Sequence, residues 1–180
     1  MGSGKNAKII LGITLGTGLG GGLIEKIGNK ISVYRGAFNS AGEFGHMTIK
    51  FDGPKCSCGN YGCLEEYVSK RFIIRESGYP EDKIIEKSRK KDKKIVKVYQ
   101  KLGKNLGIGL ANLINILDPE VIIIGGGISK SASLFLKEAK KEFKRRTYSP
   151  SSKKLVKIKL SKLGEFSGAI GAALLFKIHD

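Results

Sequence analysis

All three cysteines of this 180-residue chain fall in one stretch, KCSCGNYGCLEE, from Lys55 to Glu66. Cys56 and Cys58 are two positions apart and Cys63 follows five later, with Gly59 and Gly62 permitting the tight turns that would bring three sulfurs to one point. An odd number of thiols packed this closely cannot make an independent disulfide framework, and free cysteines seldom cluster without a ligand or a redox role. Tetrahedral zinc asks for a fourth donor. Of the two histidines, His179 stands next to the C-terminal end, whereas His46 lies ten residues before Cys56 in the same glycine-rich stretch. His46, Cys56, Cys58 and Cys63 therefore read as a closed structural zinc site, with metal binding supplying order to a loop that has little core of its own. The competing reading is three reduced, buried thiols beside a surface histidine.

A histidine with one ring nitrogen on a metal has its tautomer and ring direction set, and its other nitrogen needs a partner. Glu43 lies three residues before His46, in GEFGH, and Glu65 lies two after Cys63, so closing the metal loop draws both carboxylates towards the imidazole. Ionised carboxylates accept bidentate hydrogen bonds from neighbouring hydroxyls. Glu43, His46 and Glu65 together thus have the chemistry of a polyhydroxyl-binding site. On spacing alone, the plain alternative of solvated glutamates stands beside that reading.

The elements that must hold these residues fall into two textures. Residues 7 to 36 predict strands in AKIILGITL, GGLIEKI and KISVYRG, with Gly28-Asn29 as a hairpin signal between the last two. Residues 37 to 63 are glycine-rich and irregular, as suits a functional loop, and Leu64 to Phe72 predicts a helix beginning at the last cysteine. From about Glu81 the pattern turns helical. Lys97 to Leu117 predicts a long helix with Leu102, Leu106, Leu110, Leu113, Ile114 and Leu117 on one face, ending before Pro119. EVIIIGGG reads as a short buried strand meeting a ligand-facing glycine turn. Residues 131 to 147 predict another helix, KLVKIKL another strand, and Gly164 to Ile178 a closely packed final helix. No repeat or linker separates these pieces, so the chain reads as one α/β domain with antiparallel strands at its start.

With 41% apolar residues the chain can bury a core. It has no apolar run of about 18 residues and no charged-then-apolar leader, which predicts a cytoplasmic protein without a membrane span. The net charge of +17 resides in two segments: Lys83 to Lys104 carries ten basic and two acidic residues, and Lys137 to Lys162 eleven and two. Leu134, Phe135, Ala139 and Phe143 recur there at helical spacing with lysines between them, so these segments read as solvated helix faces. No aromatic-basic interleaving or helix-turn-helix pattern points to specific nucleic-acid recognition.

Two glycine motifs need weighing. GTGLGG, Gly16 to Gly21, satisfies G-x-G-x-x-G after an apolar strand, but a dinucleotide fingerprint requires a helix next, and LIEKIGNKISVYRG continues as strand and hairpin. A glycine hairpin whose backbone amides face a phosphate remains open. GSGK at residues 2 to 5 lacks both the Ser or Thr and the preceding strand of a phosphate-binding loop of that type.

Taken in order, ITLGTGLGGGLI, GAFNSAGEFGHMTI, CSCGNYGCLEEYVS, LANLINILDPEVIIIGGGIS and GAIGAALL resemble the ROK family of sugar kinases and sugar-responsive repressors. The resemblance spans nearly the whole chain, and its most specific part is the C-x-C-G-x-x-G-C-x-E segment after G-E-x-G-H. It implies an actin-like, ribonuclease-H-like ATPase lobe with a mixed sheet and flanking helices. It also implies ATP with Mg2+ and phosphoryl transfer to a hexose-type hydroxyl. By the same resemblance His46, Cys56, Cys58 and Cys63 match zinc ligands of a loop at about residues 43 to 65, and Glu43, His46 and Glu65 match sugar contacts. Gly16, Thr17 and Gly18 match a second phosphate loop, and Gly125, Gly126 and Gly127 an adenosine-side turn.

ROK kinases resemble two-lobed enzymes whose first lobe carries an Asp-x-Gly-Gly-Thr phosphate loop and an Asn-Asp pair, the Asp acting as base. Neither is found here, and residues 1 to 51 contain no aspartate. General-base help is worth about 10²- to 10⁴-fold in rate, so residues 1 to 180 are expected to form a C-terminal lobe with no catalytic base, nearly inert alone and completed by a separate N-terminal lobe or one lost from the record. The alternatives are a non-catalytic sugar-sensing or regulatory module and, further off, a basic nucleic-acid-associating domain. ROK-like proteins also resemble homodimers, for which Phe44, Phe51 and Tyr67 beside the zinc loop offer apolar surface. Which hexose is bound rests on loop geometry.

Overall fold

The computed structural model describes residues 2–28, 30–164, 170, 171 and 173. Three strands open the chain, β1 (Ile9–Leu15), β2 (Leu19–Ile27) and β3 (Lys30–Tyr34), paired antiparallel in sequence order. Ile27 pairs with Lys30, so the hairpin predicted at Gly28-Asn29 has a two-residue loop, and Gly28 takes φ 60°. Strand β4 (Val121–Gly125) lies parallel to β1 on its other side, and β5 (Lys157–Leu160) parallel to β4, giving the order β3-β2-β1-β4-β5. Alternation decides which face is covered. Leu11, Ile13 and Leu15 of β1 and Ile122 and Ile124 of β4 are all at most 2% exposed and belong to one core with the helices.

Flanking the sheet among the described residues are the helices α1 (Glu65–Val68), α2 (Lys70–Ser77), α3 (Glu81–Arg89), α4 (Lys93–Leu117), α5 (Ala132–Arg146) and α6 (Pro150–Leu155). The long helix starts four residues before the predicted Lys97 because Asp92 caps it, its carboxylate accepting from the N–H groups of Lys94 and Ile95. It ends at Asp118, left-handed at φ 40°, just before Pro119. Its predicted apolar face is the core: Leu102, Leu106 and Leu110 are fully buried, and Leu113 and Ile114 nearly so.

Two sequence expectations are corrected. Leu64 to Phe72 is two helices, because Ser69 is extended (φ −87°, ψ 170°) and breaks the chain between α1 and α2. KLVKIKL is part helix and part strand: Ser149 caps Pro150–Leu155 through the Ser152 N–H, Pro150 takes the first turn, and only Lys157–Leu160 joins the sheet. Residues 127–131 form a 3-10 turn between β4 and α5, and α5 agrees to within a residue with the helix predicted over 131 to 147. The expected last helix, Gly164 to Ile178, lies almost wholly outside the described residues.

Helices α4 and α5 run the same way and touch closely. A side chain at Gly103 would enter the Phe135 carbonyl, and one at Gly107 would come within 2.7 Å of the Ala139 carbonyl. The lysines of both helices, among them Lys97, Lys104, Lys140 and Lys144, lie exposed on the outer side, as the charge pattern predicted. No described helix is long and apolar enough to cross a membrane.

This glycine contact generates a first prediction. Gly103→Val forces α4 and α5 apart, and the expected cost is about 1–3 kcal/mol, seen as a lower urea midpoint. An unchanged midpoint would show that the helices do not meet as described.

Candidate metal centre and ligand cleft

The metal loop folds back on itself through two isolated bridges, Thr48 with Cys63 and Lys55 with Tyr61. Gly62, at φ 67°, has the Lys50 carbonyl where a side chain would start, so only glycine allows the crossing that brings Cys63 under His46. The Cys56 N–H donates to the Asn60 carbonyl (2.7 Å), and the Gly59 N–H to that of Cys56, closing the turn that carries Cys58. These turns converge the four predicted donors. His46 Nδ1 is 3.6 Å from Cys56 Sγ, Cys58 Sγ is 3.7 Å from Cys63 Sγ, and all four donor atoms lie within 4.8 Å of one another.

Those spacings can be compared with a tetrahedron. With zinc–sulfur bonds of about 2.3 Å and zinc–nitrogen bonds of about 2.0–2.1 Å, tetrahedral angles put neighbouring sulfurs about 3.8 Å apart and a sulfur and nitrogen about 3.6 Å apart. The two short edges match. Burial pushes the Cys63 thiol up to about 12, whereas hydrogen bonding with the Asn60 backbone lowers Cys58. Without metal, Cys63 is therefore a neutral thiol at pH 7. Because metal ligation takes the thiolate, loading releases protons and weakens as pH falls.

With Nδ1 turned to the sulfurs, His46 Nε2 points the other way and lies 3.8 Å from Glu43 Oε2, at a place where Glu43 is largely exposed. Glu65 is only 9% exposed. Its Oε2 accepts from the Leu19 N–H (2.8 Å) and its Oε1 from Arg71 Nη2 (2.7 Å), while a ligand oxygen of Glu65 also lies within 4.8 Å of Cys56 Sγ. The spacing-only picture of a solvated Glu65 is thereby corrected, since the carboxylate is internal and already bonded. Of the aromatic residues expected at an interface, only Phe51 is strongly exposed, at 89%; Phe44 and Tyr67 pack against the core.

The two glycine clusters meet at the carboxyl ends of parallel strands. Gly16, Thr17 and Gly18 form the turn from β1 to β2, closed by the Gly16 N–H donating to the Gly18 carbonyl. Gly125 ends β4. Gly126, at φ 85°, has the Leu15 carbonyl where a side chain would start, so the end of β4 packs directly on the end of β1. Gly16 and Gly127 line one cavity of about 370 Å³ together with Lys70, Ile73, Ile84, Tyr99 and Ile128. A crevice outside the carboxyl ends of parallel strands is where open α/β sheets take ligands. The rapid return to β2 after Gly18 confirms that the G-x-G-x-x-G match is not a strand-to-helix fingerprint.

Sequence reasoning missed Arg71, Lys70 and the wall from α3 and α4, Ile84 and Tyr99. Arg71 stands six positions after Glu65, a spacing that a continuous helix puts on different faces, so the contact exists through the break at Ser69 and has no helical signature in the sequence. The cavity wall is assembled from segments remote in sequence.

Sheet order, flanking helices and a glycine-lined crevice define an actin-like ATPase fold. Residues 1–179 match the ROK family, to which the chain belongs. It is 35% identical to a glucokinase of Streptomyces coelicolor, over 99% of this chain and 62% of that protein. It is 36% identical to the xylose repressor of Bacillus spizizenii, over 99% of this chain and 46% of that protein. It also superposes on the ROK family glucokinase of Streptomyces griseus, solved in complex with glucose and AMPPNP, with a TM-score of 0.84 and 33% identity, covering 96% of this chain and 62% of that one. The chain thus spans about half to three-fifths of the length of these relatives.

Two measurements test the metal centre. Purified protein is expected to carry about one zinc per chain by elemental analysis, and to release it more readily as pH is lowered. Cys58 is exposed and little packed, so Cys58→Ala is expected to lower the melting temperature through metal loss and not through a cavity. An unchanged melting temperature would show that the metal does not order the loop.

Proposed function

We propose that residues 1–180 are the sugar- and zinc-holding lobe of a ROK-type hexose kinase, in which ATP with Mg2+ supplies the transferred phosphoryl group. The observation carrying this reading is the orientation of His46, with Nδ1 among three sulfurs and Nε2 beside Glu43. Zinc, when held by His46, Cys56, Cys58 and Cys63, supplies loop order and fixes the imidazole tautomer. The proton then resides on Nε2. A donor and an acceptor 3.8 Å apart leave room for one hydroxyl oxygen about 2.8 Å from both, accepting from His46 and donating to Glu43. Glu65 keeps free lone pairs on both oxygens and can accept from a neighbouring hydroxyl without surrendering its internal bonds.

Nucleotide binding is assigned to the crevice between the Gly16–Gly18 and Gly125–Gly127 turns. Its apolar wall of Ile73, Ile84, Tyr99 and Ile128 suits a base, and the backbone of the first turn suits phosphates. The carboxylate base and the first phosphate loop implied by the family pattern are not found in this sequence; in this reading a second lobe, in the same or another chain, supplies them. Phosphoryl transfer rests on positioned phosphates and metal, so this lobe by itself is assigned binding and not turnover.

A second reading is a sugar-sensing module, favoured by the equally similar xylose repressor. Calorimetry on the zinc-loaded chain with glucose, xylose and Mg-ATP tests both. Glucose binding, with ATP turnover once a second lobe is supplied, supports the kinase; sugar binding that never leads to turnover supports the sensor. Glu43→Gln is expected to weaken sugar binding about tenfold or more at unchanged zinc content. Sugar affinity indifferent to Glu43 would overturn the hydroxyl-binding assignment.

A further inference from the structure

The metal loop and the Gly16–Gly18 turn meet at Leu19. The 3-10 turn Phe44–His46 lies on this strand end, since a side chain at Gly45 would come 2.7 Å from the Leu19 carbonyl and 3.5 Å from Glu65 Cβ. From the other side Glu65, two residues past the metal-cluster residue Cys63, reaches back 46 positions so that its Oε2 accepts from the Leu19 N–H. The carboxylate occupies the space a side chain at Gly18 would need. The turn is also gripped at its start, where the Lys70 N–H, just after the Ser69 break, donates to the Gly16 carbonyl (2.9 Å). Helices α1 and α2 therefore hold both ends of the phosphate turn, and α1 begins two residues after Cys63.

We propose that Arg71 is a positioning residue, which by holding Glu65 against Leu19 couples the metal loop to the Gly16–Gly18 turn, so that a polyhydroxyl ligand at one and a phosphate-bearing ligand at the other bind interdependently. Arg71 Nη2 donates to Glu65 Oε1 at 2.7 Å and to Glu66 Oε1 at 3.2 Å, and Glu66 has a second cation in Arg75 at 3.5 Å. Removing Arg71 thus leaves Glu66 paired but releases Glu65. A nearly buried carboxylate that loses its cation is costly to keep inside and swings outward to be solvated, and Leu19 loses its acceptor. Sugar hydroxyls on Glu65 and phosphates on the turn then cease to sense each other. Coupling between two sites is reciprocal, so each ligand must raise the affinity for the other by the same factor.

The ligand assignments rest on the kinase reading above, but the mechanical link does not, and the test separates them. Amide hydrogen exchange is followed residue by residue in the zinc-loaded full chain. Arg71→Ala is expected to speed exchange at Leu19 about tenfold, with zinc content retained and the amides of β4 unchanged. Gly18→Ala, which pushes the Glu65 carboxylate away from the opposite side, is expected to do the same. In parallel, Mg-ADP affinity is measured with and without glucose: the unaltered chain is expected to show a reciprocal enhancement of about fivefold or more, falling towards unity in Arg71→Ala. Unchanged Leu19 exchange in both variants, or faster exchange spread evenly over the sheet, overturns the positioning role. Equal enhancement with and without Arg71 overturns the coupling. If the unaltered chain binds neither glucose nor Mg-ADP, the kinase reading fails, while Leu19 exchange still decides what Arg71 does.

Discussion

A handful of donor atoms drawn to within 4.8 Å of one another is the constraint on which the rest of this lobe depends. Three sulfurs and an imidazole have no reason to crowd together on their own: two of the thiols are buried, and the thiolate form of Cys63 is disfavoured by desolvation. A tetrahedral divalent cation held there would reverse that balance, because it prefers thiolate to thiol and fixes the distances between its ligands. Residues 43 to 64 contribute few members to the main core. Their order is therefore tied to the donors.

From that constraint the ligand face follows by geometry. One ring nitrogen of His46 is committed among the sulfurs, so the other has a set direction, and Glu43 stands beside it. Cys63 opens the segment that places Glu65 against the strand end where the Gly16–Gly18 turn closes. The loop that carries the four donors thus presents Glu43 and His46 at its surface and supports the Gly16–Gly18 turn through Glu65. A glycine at position 18 is required less for backbone freedom than for space, since the Glu65 carboxylate fills the volume beside it.

The relatives divide into kinases and repressors, and the segment they share with this chain contains the four converging donors, the glycine crevice and the sheet behind them. Function on this scaffold is decided by what is joined to it. Phosphoryl transfer asks for a base and positioned phosphates, and operator recognition for a nucleic-acid-reading element. The basic outer faces of α4 and α5 lie on the helices' solvent side, away from the buried residues that back the sheet.

Much of the site was legible in the residues themselves. Donor chemistry and glycine spacing pointed to the four donors that converge, alternation to β1, β2 and β3, and apolar periodicity to α4, because each of these depends on neighbours within a few positions. The placement of β4 beside β1, the break at Ser69, the meeting of the two glycine turns and the Arg71–Glu65 contact were decided by tertiary packing. Each depends on the chain segments that surround it: Leu15 dictates glycine at 126 from more than a hundred positions away, and Arg71 reaches Glu65 only because Ser69 abandons helical geometry. Local chemistry can name the groups that will bind, but a carboxylate's direction is set by whatever packs against it, and that is known only once the sheet has closed.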